Sequence, residues 1–429
     1  MRPNAHYFPY RLIRSLSKSA PFLCPVFHIL LNNPWYFENY RKYRYDMPLF
    51  TLMARLRVRF VVFVGIAVTM VVLLFNMNTE FMVSQKEVVR FYMTPEFELA
   101  PQDENWKLLI DLDCFNRLSK NLPCQAPLQV ASFSNTSVSS HFSPVYRLSR
   151  DTTHDFTTFT PLNATHPTRL IVNFEFWKPK EIGLVNGEQV EVAVPDDLDA
   201  FTRKWHKSEA IECTGIGAKN RLFWDARRVL PLRVVKEVMA PFRDFCDRNN
   251  RTAFITSGSL LGWYRECSII PHTTDIDFGL MISNYSREFE HLLDRNYELF
   301  WALGDGNTSM ELSFHVGNVK TDLFFLFDYN STHSYFSGML VSARKELFWI
   351  YPKIDRICAG NLLGSLMYVP CNTEEFLRAD YGPDWMVDSP SRKYYFDKSG
   401  KNIMPGKTFT KQQWRHVYRQ LRGYKKHSS

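Results

Sequence analysis

Residues 60–75 read FVVFVGIAVTMVVLLF, a run without a charge, and this run limits the chain more than any other feature. A helix needs about 17–25 apolar residues to cross a bilayer. Asn76 and Met77 extend this run weakly to a span over 60–77, short enough to suit a thin early-secretory membrane. Arg55, Arg57 and Arg59 stand before it and Glu80 follows. Positive charge stays cytoplasmic, so the pattern predicts an N-terminus inside and a C-terminal bulk in a lumen. The run has no polar face, unlike a surface helix. It also lies too far into the chain for the apolar core of a cleaved signal peptide.

Charge follows the same division. The 429 residues carry a net +8, and residues 1–59 hold all of it, with 10 Lys and Arg against 2 acidic residues. The remaining 370 residues balance at 42 of each sign. The bulk therefore has no excess of cations to follow a phosphate backbone, and nucleic acid is not an expected partner. The N-x-S/T triplets at Asn135, Asn163, Asn250, Asn284, Asn307 and Asn330 all follow the run, as glycosylation in a lumen requires. Seven cysteines also follow it. Cys114/Cys124 and Cys358/Cys371 are the natural local pairs for an oxidising compartment, and an odd count leaves at least one cysteine outside any internal disulfide.

The pattern divides the chain into a tail (1–59), an anchor (60–77), a stem (78–95), a β-rich luminal domain (96–220) and an α/β catalytic domain with a mixed sheet (221–429). In the β-rich part TRLIVNFEFW (168–177) has strand composition. IGLVNGEQVEVAV places Asn186-Gly187 between apolar alternations, a hairpin signal. Residues 132–166, rich in Ser, Thr, Asn and His, predict a loop. Farther on, Val234, Val235, Val238, Phe242 and Phe245 recur at helical spacing. TAFIT (252–256) predicts a buried strand, and Gly258-Ser259 a turn into a short helix through Arg265. DIDFGLMI (275–282), SMELSFHV and KTDLFFLFDY predict strands, and EFEHLLDRN (288–296) a helix.

The chemistry of this second part lies in its carboxylates. Asp275 and Asp277 stand at i and i+2 of a strand, so they share one face. Two such carboxylates repel each other unless a cation joins them, and a hard divalent ion such as Mg2+ or Mn2+ prefers carboxylate oxygen together with phosphate. Such an ion can clamp a diphosphate. Asp322, on a later strand, is expected to complete a metal set of Asp275, Asp277 and Asp322, or to orient an acceptor hydroxyl. Gly258 and Ser259 would bring backbone N–H groups to phosphate oxygens, and Arg265 would add a fork of donors. A lone D-x-D also arises in caps and solvated strand ends, and the chain holds one with no preceding Gly-Ser turn at Asp111-Leu112-Asp113. Glu311 fits a surface strand position as well as a site. Solvated or structural roles are expected of His272 and Lys320, and packing roles of Trp263 and Tyr264.

The segments ITSGSLLGWYRECSIIPHTTDIDFGL, KTDLFFLF and YVPCNTEEFLRADYGPDW, in that order, resemble the fukutin family, in the LicD-like branch of the polymerase-beta-type nucleotidyltransferase superfamily. The resemblance is closest over about residues 225–385. It implies a nucleotide–metal site at Gly258, Ser259, Asp275, Asp277 and Asp322. It also implies transfer of ribitol 5-phosphate from CDP-ribitol to an O-mannosyl glycan of a glycoprotein, with CMP leaving, at the Golgi membrane. LicD-like proteins often carry a further acid just before the first aspartate. This chain has Thr274 there, one potential ligand fewer, which leaves a phospho-sugar or phosphocholine donor open beside the alditol phosphate. Two other functions compete: a catalytically weak scaffold that binds a related transferase or a glycan, or associates with itself, and a glycosyltransferase that uses a sugar nucleotide.

Overall fold

The structure is a computed structural model that describes residues 107–133, 139–173, 177–183, 189–195, 197–216, 230, 232–389 and 393–422. The tail, the run at 60–77 and the stem lie outside these residues. No helix among the described residues is long and apolar enough to cross a membrane. Residues 98–429 belong to one compact unit that contains two sheets.

The first sheet has strands β1 (Lys107–Leu109), β2 (Leu128–Ser132), β3 (Phe142–Arg150), β4 (Phe156–Pro161), β5 (Arg169–Val172), β6 (Trp177–Gly183) and β7 (Gln189–Pro195). Their order is β5-β4-β3-β2-β1-β7-β6. The β6–β7 hairpin forms with Ile182 opposite Val190. Helix α1 (Leu112–Leu118) starts at Asp111, whose Oδ1 accepts a hydrogen bond from the Cys114 N–H at 2.9 Å. The first D-x-D is therefore a helix cap, with no part in a site. Helix α2 (Leu198–His206) covers the sheet with Phe201 and Trp205. The loop expected over 132–166 is corrected: β3 and β4 occupy much of it. Their Ser and Thr residues are interspersed with Val145, Leu148, Phe156 and Phe159, which are buried, and Thr serves as well in a strand as in a loop.

Strand β8 (Ala210–Ile211) passes the chain to the second sheet, which continues with β9 (Phe254–Ile255), β10 (Asp275–Met281), β11 (Glu298–Gly304), β12 (Met310–Val316), β13 (Val319–Asp328), β14 (His333–Leu340), β15 (Lys345–Pro352), β16 (Ile357–Leu362), β17 (Ser365–Pro370), β18 (Ile403–Thr408) and β19 (Tyr418–Gln420). The main path runs β18-β15-β14-β13-β10-β9-β17-β16-β8, with β12, β11 and β19 branching from β13. The sheet is mixed, as expected: β10 is parallel to β13 and antiparallel to β9. A π-helical turn (Val235–Met239) leads into α3 (Ala240–Arg248), and all five predicted apolar positions are buried. Phe242 packs 4.8 Å from Phe278 and 5.2 Å from Phe314, which fixes α3 against the strand that bears the aspartates. Each buried aromatic of this kind contributes about 1.5–3 kcal/mol. Helices α4 (Ser257–Glu266), α5 (Arg287–Asn296), α6 (Thr373–Tyr381) and α7 (Lys411–Val417) complete the elements used below.

The two sheets share a core: Phe156 and Leu170 of the first pack in the cluster built on the second. Arg243 of α3 is buried between them. It bonds Asp155 at 3.1 Å and Asp244 at 2.8 Å, and donates to the Leu366 carbonyl. Cys114–Cys124 and Cys358–Cys371 form disulfides, and a third links Cys213 to Cys267 at the end of α4. Cys246, buried on α3, is the free cysteine among the described residues.

Candidate functional site

Period-two alternation builds the site. Ile276, Phe278 and Leu280 of β10 are buried in the core, which turns Asp275 and Asp277 to the other face. Strand β13 runs alongside with Asp275 opposite Lys320 and Asp277 opposite Asp322. The three expected carboxylates therefore meet on two adjacent parallel strands and line a cleft of about 960 Å³. Gly279 lies farther along β10, where an added Cβ would come within 2.6 Å of the Phe254 ring and 3.0 Å of Phe336. Glycine at this position lets those rings pack directly on the strand.

The start of α4 is wired to Asp277. The Asp277 N–H donates to Ser259 Oγ at 2.9 Å, and the Thr256 N–H donates to the Asp277 carbonyl at 3.2 Å. The Gly258 N–H donates to the Asp277 carboxylate. The carboxylate thus sits at a helix N-terminus, where negative charge is favoured. Gly258 lines the cleft, but Ser259 is buried behind it. The Ser259 side chain holds the strand that bears Asp277.

Lys320, expected near the site in a solvated or structural role, pairs with two of the three carboxylates. Its Nζ lies 3.5 Å from Asp275 Oδ2 and is bonded to Asp322 Oδ2. Ser313 Oγ donates to the other Asp322 oxygen at 2.6 Å. Burial would pull the Lys320 ammonium down, but Asp322 and Asp275 outweigh burial and push it up. Burial raises Asp277 well above the usual carboxylate range, and Asp275 and Asp322 push the same way. Asp275 is also raised by burial, with Lys320 opposing. Glu311, half-buried on β12, is pushed up to about 8 by burial and then by Asp322. Glu311 is therefore part of the cleft wall, and no solvated strand residue.

Among the described residues, no group of three or more His, Cys, Asp and Glu side chains converges as ligands of one metal ion. The Lys320 ammonium supplies the positive charge between Asp275 and Asp322. The donor chemistry still fits a hard divalent cation. Three carboxylates share one face, and Asp277 is raised first by burial and then by Asp275 and Asp322, a repulsion that a cation would relieve.

Arg265 is also corrected. Its guanidinium is buried, with Nε on Glu266 at 3.0 Å, Nη2 on Asp388 at 3.3 Å and Nη1 on the Trp385 carbonyl at 3.3 Å. These donors hold the segment 385–388 in place, and Arg265 acts on the cleft through that segment. His272 lies 3.7 Å from the same Asp388. Trp263 packs in the core, as expected. The wall facing the aspartates includes Asp380, Tyr381, Trp385 and Tyr394. No spacing signal marks these residues, because their proximity depends on the turn after α6.

Residues 250–372 match the LicD/FKTN/FKRP nucleotidyltransferase domain, a stretch that contains Gly258, Asp275, Asp277, Glu311, Lys320 and Asp322. The chain is 29% identical to an uncharacterised protein of Caenorhabditis elegans over 336 residues, 73% of this chain and 81% of the relative. It is 30% identical to a second uncharacterised protein of that organism over 270 residues, 60% of this chain and 66% of the relative. It is 27% identical to the human ribitol-5-phosphate transferase FKTN over 244 residues. That match covers 55% of this chain and about half, 52%, of the human protein.

Proposed function

From the premise that this chain is a fukutin-like member of the LicD family, and so a phosphotransferase of that family, we propose that it transfers a phospho-alditol, ribitol 5-phosphate from CDP-ribitol, to an O-mannosyl glycan of a glycoprotein and releases CMP. The observation that carries this reading is the register of Asp277 with Asp322 on parallel strands that line the cleft. In the transfer, the acceptor hydroxyl gives its proton to water, its oxygen bonds to the phosphorus of ribitol 5-phosphate, and the bond from that phosphorus to the CMP oxygen breaks. Asp275, Asp277 and Asp322 would hold Mg2+ or Mn2+, which when bound neutralises charge on the donor diphosphate. Gly258 N–H and Ser259 hold Asp277 in place for that role. Ser313 fixes the rotamer of Asp322. The Lys320 ammonium keeps the carboxylates compatible before substrate arrives and offers a donor to phosphate oxygen afterwards. Phe324 and Phe336 give the cleft wall apolar surface beside the aspartates.

The same proposal places the protein as a type II Golgi membrane protein anchored by residues 60–77, with the described part luminal. Exposed Asn163, Asn250, Asn307 and Asn330 support that reading, since a transferase can reach all four. The test is nucleotide release by the purified full chain with Mg2+ or Mn2+ and a phosphorylated O-mannosyl glycan: CMP from CDP-ribitol or CDP-choline, and UDP from a UDP-sugar. Release from CDP-ribitol supports the proposal. Turnover of the UDP-sugar alone, or no release from any donor, overturns it.

A further inference from the structure

The wall opposite the aspartates comes from the end of YVPCNTEEFLRADYGPDW, beyond the matched domain. Helix α6 ends at Gly382, whose φ of +82° turns the chain sharply. The Gly382 N–H returns to the Arg378 carbonyl, and the Trp385 N–H to the Gly382 carbonyl. The Lys401 N–H bonds the Asp380 carbonyl. The turn is thus held by its backbone, while the side chains of Asp380, Tyr381 and Trp385 line the cleft.

Two polar atoms on this wall have no partner. Asp380 is 3% exposed, and its Oδ1 accepts no hydrogen bond; Trp385 is 3% exposed, and its Nε1 donates none. A buried polar group left unpaired costs about 1–3 kcal/mol, so a pair of them in one wall calls for a ligand. Tyr351 lies beside the Asp380 carboxyl and opposes the rise that burial gives it. The Trp385 ring stacks on Tyr264 at 5.5 Å. Tyr381 and Tyr394, with ring centroids 5.7 Å apart, supply aromatic surface beside them.

We propose that Asp380 and Trp385, with the faces of Tyr381 and Tyr394, form a subsite that binds the hydroxyls of a polyhydroxylated ligand. The assignment deepens the reading above and rests on it for the reaction that the ligand enters. A hydroxyl both donates and accepts, so one polyol can give a proton to Asp380 Oδ1 and take one from Trp385 Nε1–H. The carboxylate repels a phosphate, a hydrocarbon leaves both atoms unpaired, and an indole N–H does not ligate a metal. Aromatic faces suit the C–H edges of an alditol or a sugar. Tyr381 and Tyr394 are near enough to both Asp380 and Asp277 for each carboxylate to raise their phenols. A polyol in the subsite therefore extends from a phosphate held at the aspartates. Two sources share this chemistry: the alditol of the donor and a sugar of the acceptor.

Binding of ribitol 5-phosphate, of an O-mannosyl oligosaccharide and of CDP is measured separately on the full chain and on Asp380→Asn and Trp385→Phe. Affinity for one polyol should fall about tenfold in Asp380→Asn and about threefold in Trp385→Phe, which keeps the ring and removes the N–H. Loss for ribitol 5-phosphate identifies the alditol; loss for the oligosaccharide identifies the acceptor. Unchanged binding of both polyols in both variants overturns the subsite, as does a wild-type chain that binds neither. Where Asp380→Asn does not fold, Trp385→Phe alone decides. CDP binding is the separate control: a wild-type chain that binds a polyol but no CDP defeats the nucleotide reading and leaves the subsite standing. Equal loss of CDP and polyol affinity in both variants assigns the effect to general disruption and also overturns the subsite.

Discussion

The cleft has two acidic walls that treat charge in opposite ways. On the strand wall each carboxylate has a fixed partner: Asp277 the Gly258 N–H, Asp322 both Ser313 and Lys320, Asp275 the same lysine. On the helix wall Asp380 keeps one oxygen without a hydrogen bond, and burial alone is the main force on its carboxyl, pushing it up to about 7. The strand wall is arranged to meet more charge, because its carboxylates are close enough to repel and a lysine already stands between two of them. The helix wall is arranged to meet a neutral hydroxyl. One cleft can therefore hold the anionic and the polyol parts of a single substrate in a fixed direction.

The largest predicted effect breaks the strand wall at its centre. Asp277→Asn keeps the shape and removes the charge, and CMP release with CDP-ribitol should fall by about 1,000-fold or more. The folded protein should be at least as stable as wild type at pH 7, because a buried, repelled carboxylate has been neutralised. A thermal melt separates the two outcomes. Lost activity with a lower Tm would mean that Asp277 is structural.

Lys320→Met comes next. It leaves Asp275 and Asp322 without their ammonium, and the metal-free protein should lose about 2–3 kcal/mol of stability. A divalent cation should then raise Tm more in the variant than in wild type, since it binds the folded state and relieves a larger repulsion. Melts with EDTA and with Mn2+ measure both effects. Equal cation shifts in the two proteins would show that the lysine and the cation do not share the carboxylates.

The distinction between the walls also marks what sequence reasoning reaches. The strand wall was legible because its signal is local: alternation in DIDFGLM and KTDLFFLF puts acids on one face within a few residues. The pairing of Lys320 is not legible locally because it depends on register with Asp275, 45 residues away. Arg265 was assigned to phosphate because its buried partner Asp388 is 123 residues away. Asp380 and Trp385 meet the cleft only through the turn at Gly382 and the position of α6. Strands β3 and β4 look like a loop for a different reason: their Thr and Ser, buried at Thr157 and exposed at Ser149 and Thr160, have the composition of a turn region.

The helix wall carries its own pH signature. Asp380 in the folded chain is raised to about 7 from about 3.9 in an unfolded chain. Its contribution to stability is therefore complete below about pH 4 and is lost as pH rises through 7. Glu311 adds the same sign through about 8. Between pH 5 and 8 wild type should lose about 1–3 kcal/mol more than Asp380→Asn, whose amide does not titrate. Melts across that range test the comparison, and parallel pH curves would mean that Asp380 is not the buried titrating acid of this wall. A bound polyol should flatten the wild-type curve toward that of the variant.

The smallest effect tests how the strand wall is held. Ser259 Oγ accepts from the Asp277 N–H at 2.9 Å, and Ser259 is buried behind the cleft. Ser259→Ala leaves that N–H without its acceptor, which costs about 1 kcal/mol. The Gly258 N–H still reaches the carboxylate, so Asp277 keeps its charge environment and loses only one restraint on its backbone. CDP affinity should then change by less than about threefold, while turnover falls by about three- to tenfold, because a looser backbone weakens positioning more than binding. Ser259→Thr, which retains an oxygen, should recover part of that turnover. If Ser259→Ala instead lowers CDP affinity tenfold with turnover intact, Ser259 touches the nucleotide, and the sequence reading of its role is restored over the one its burial supports.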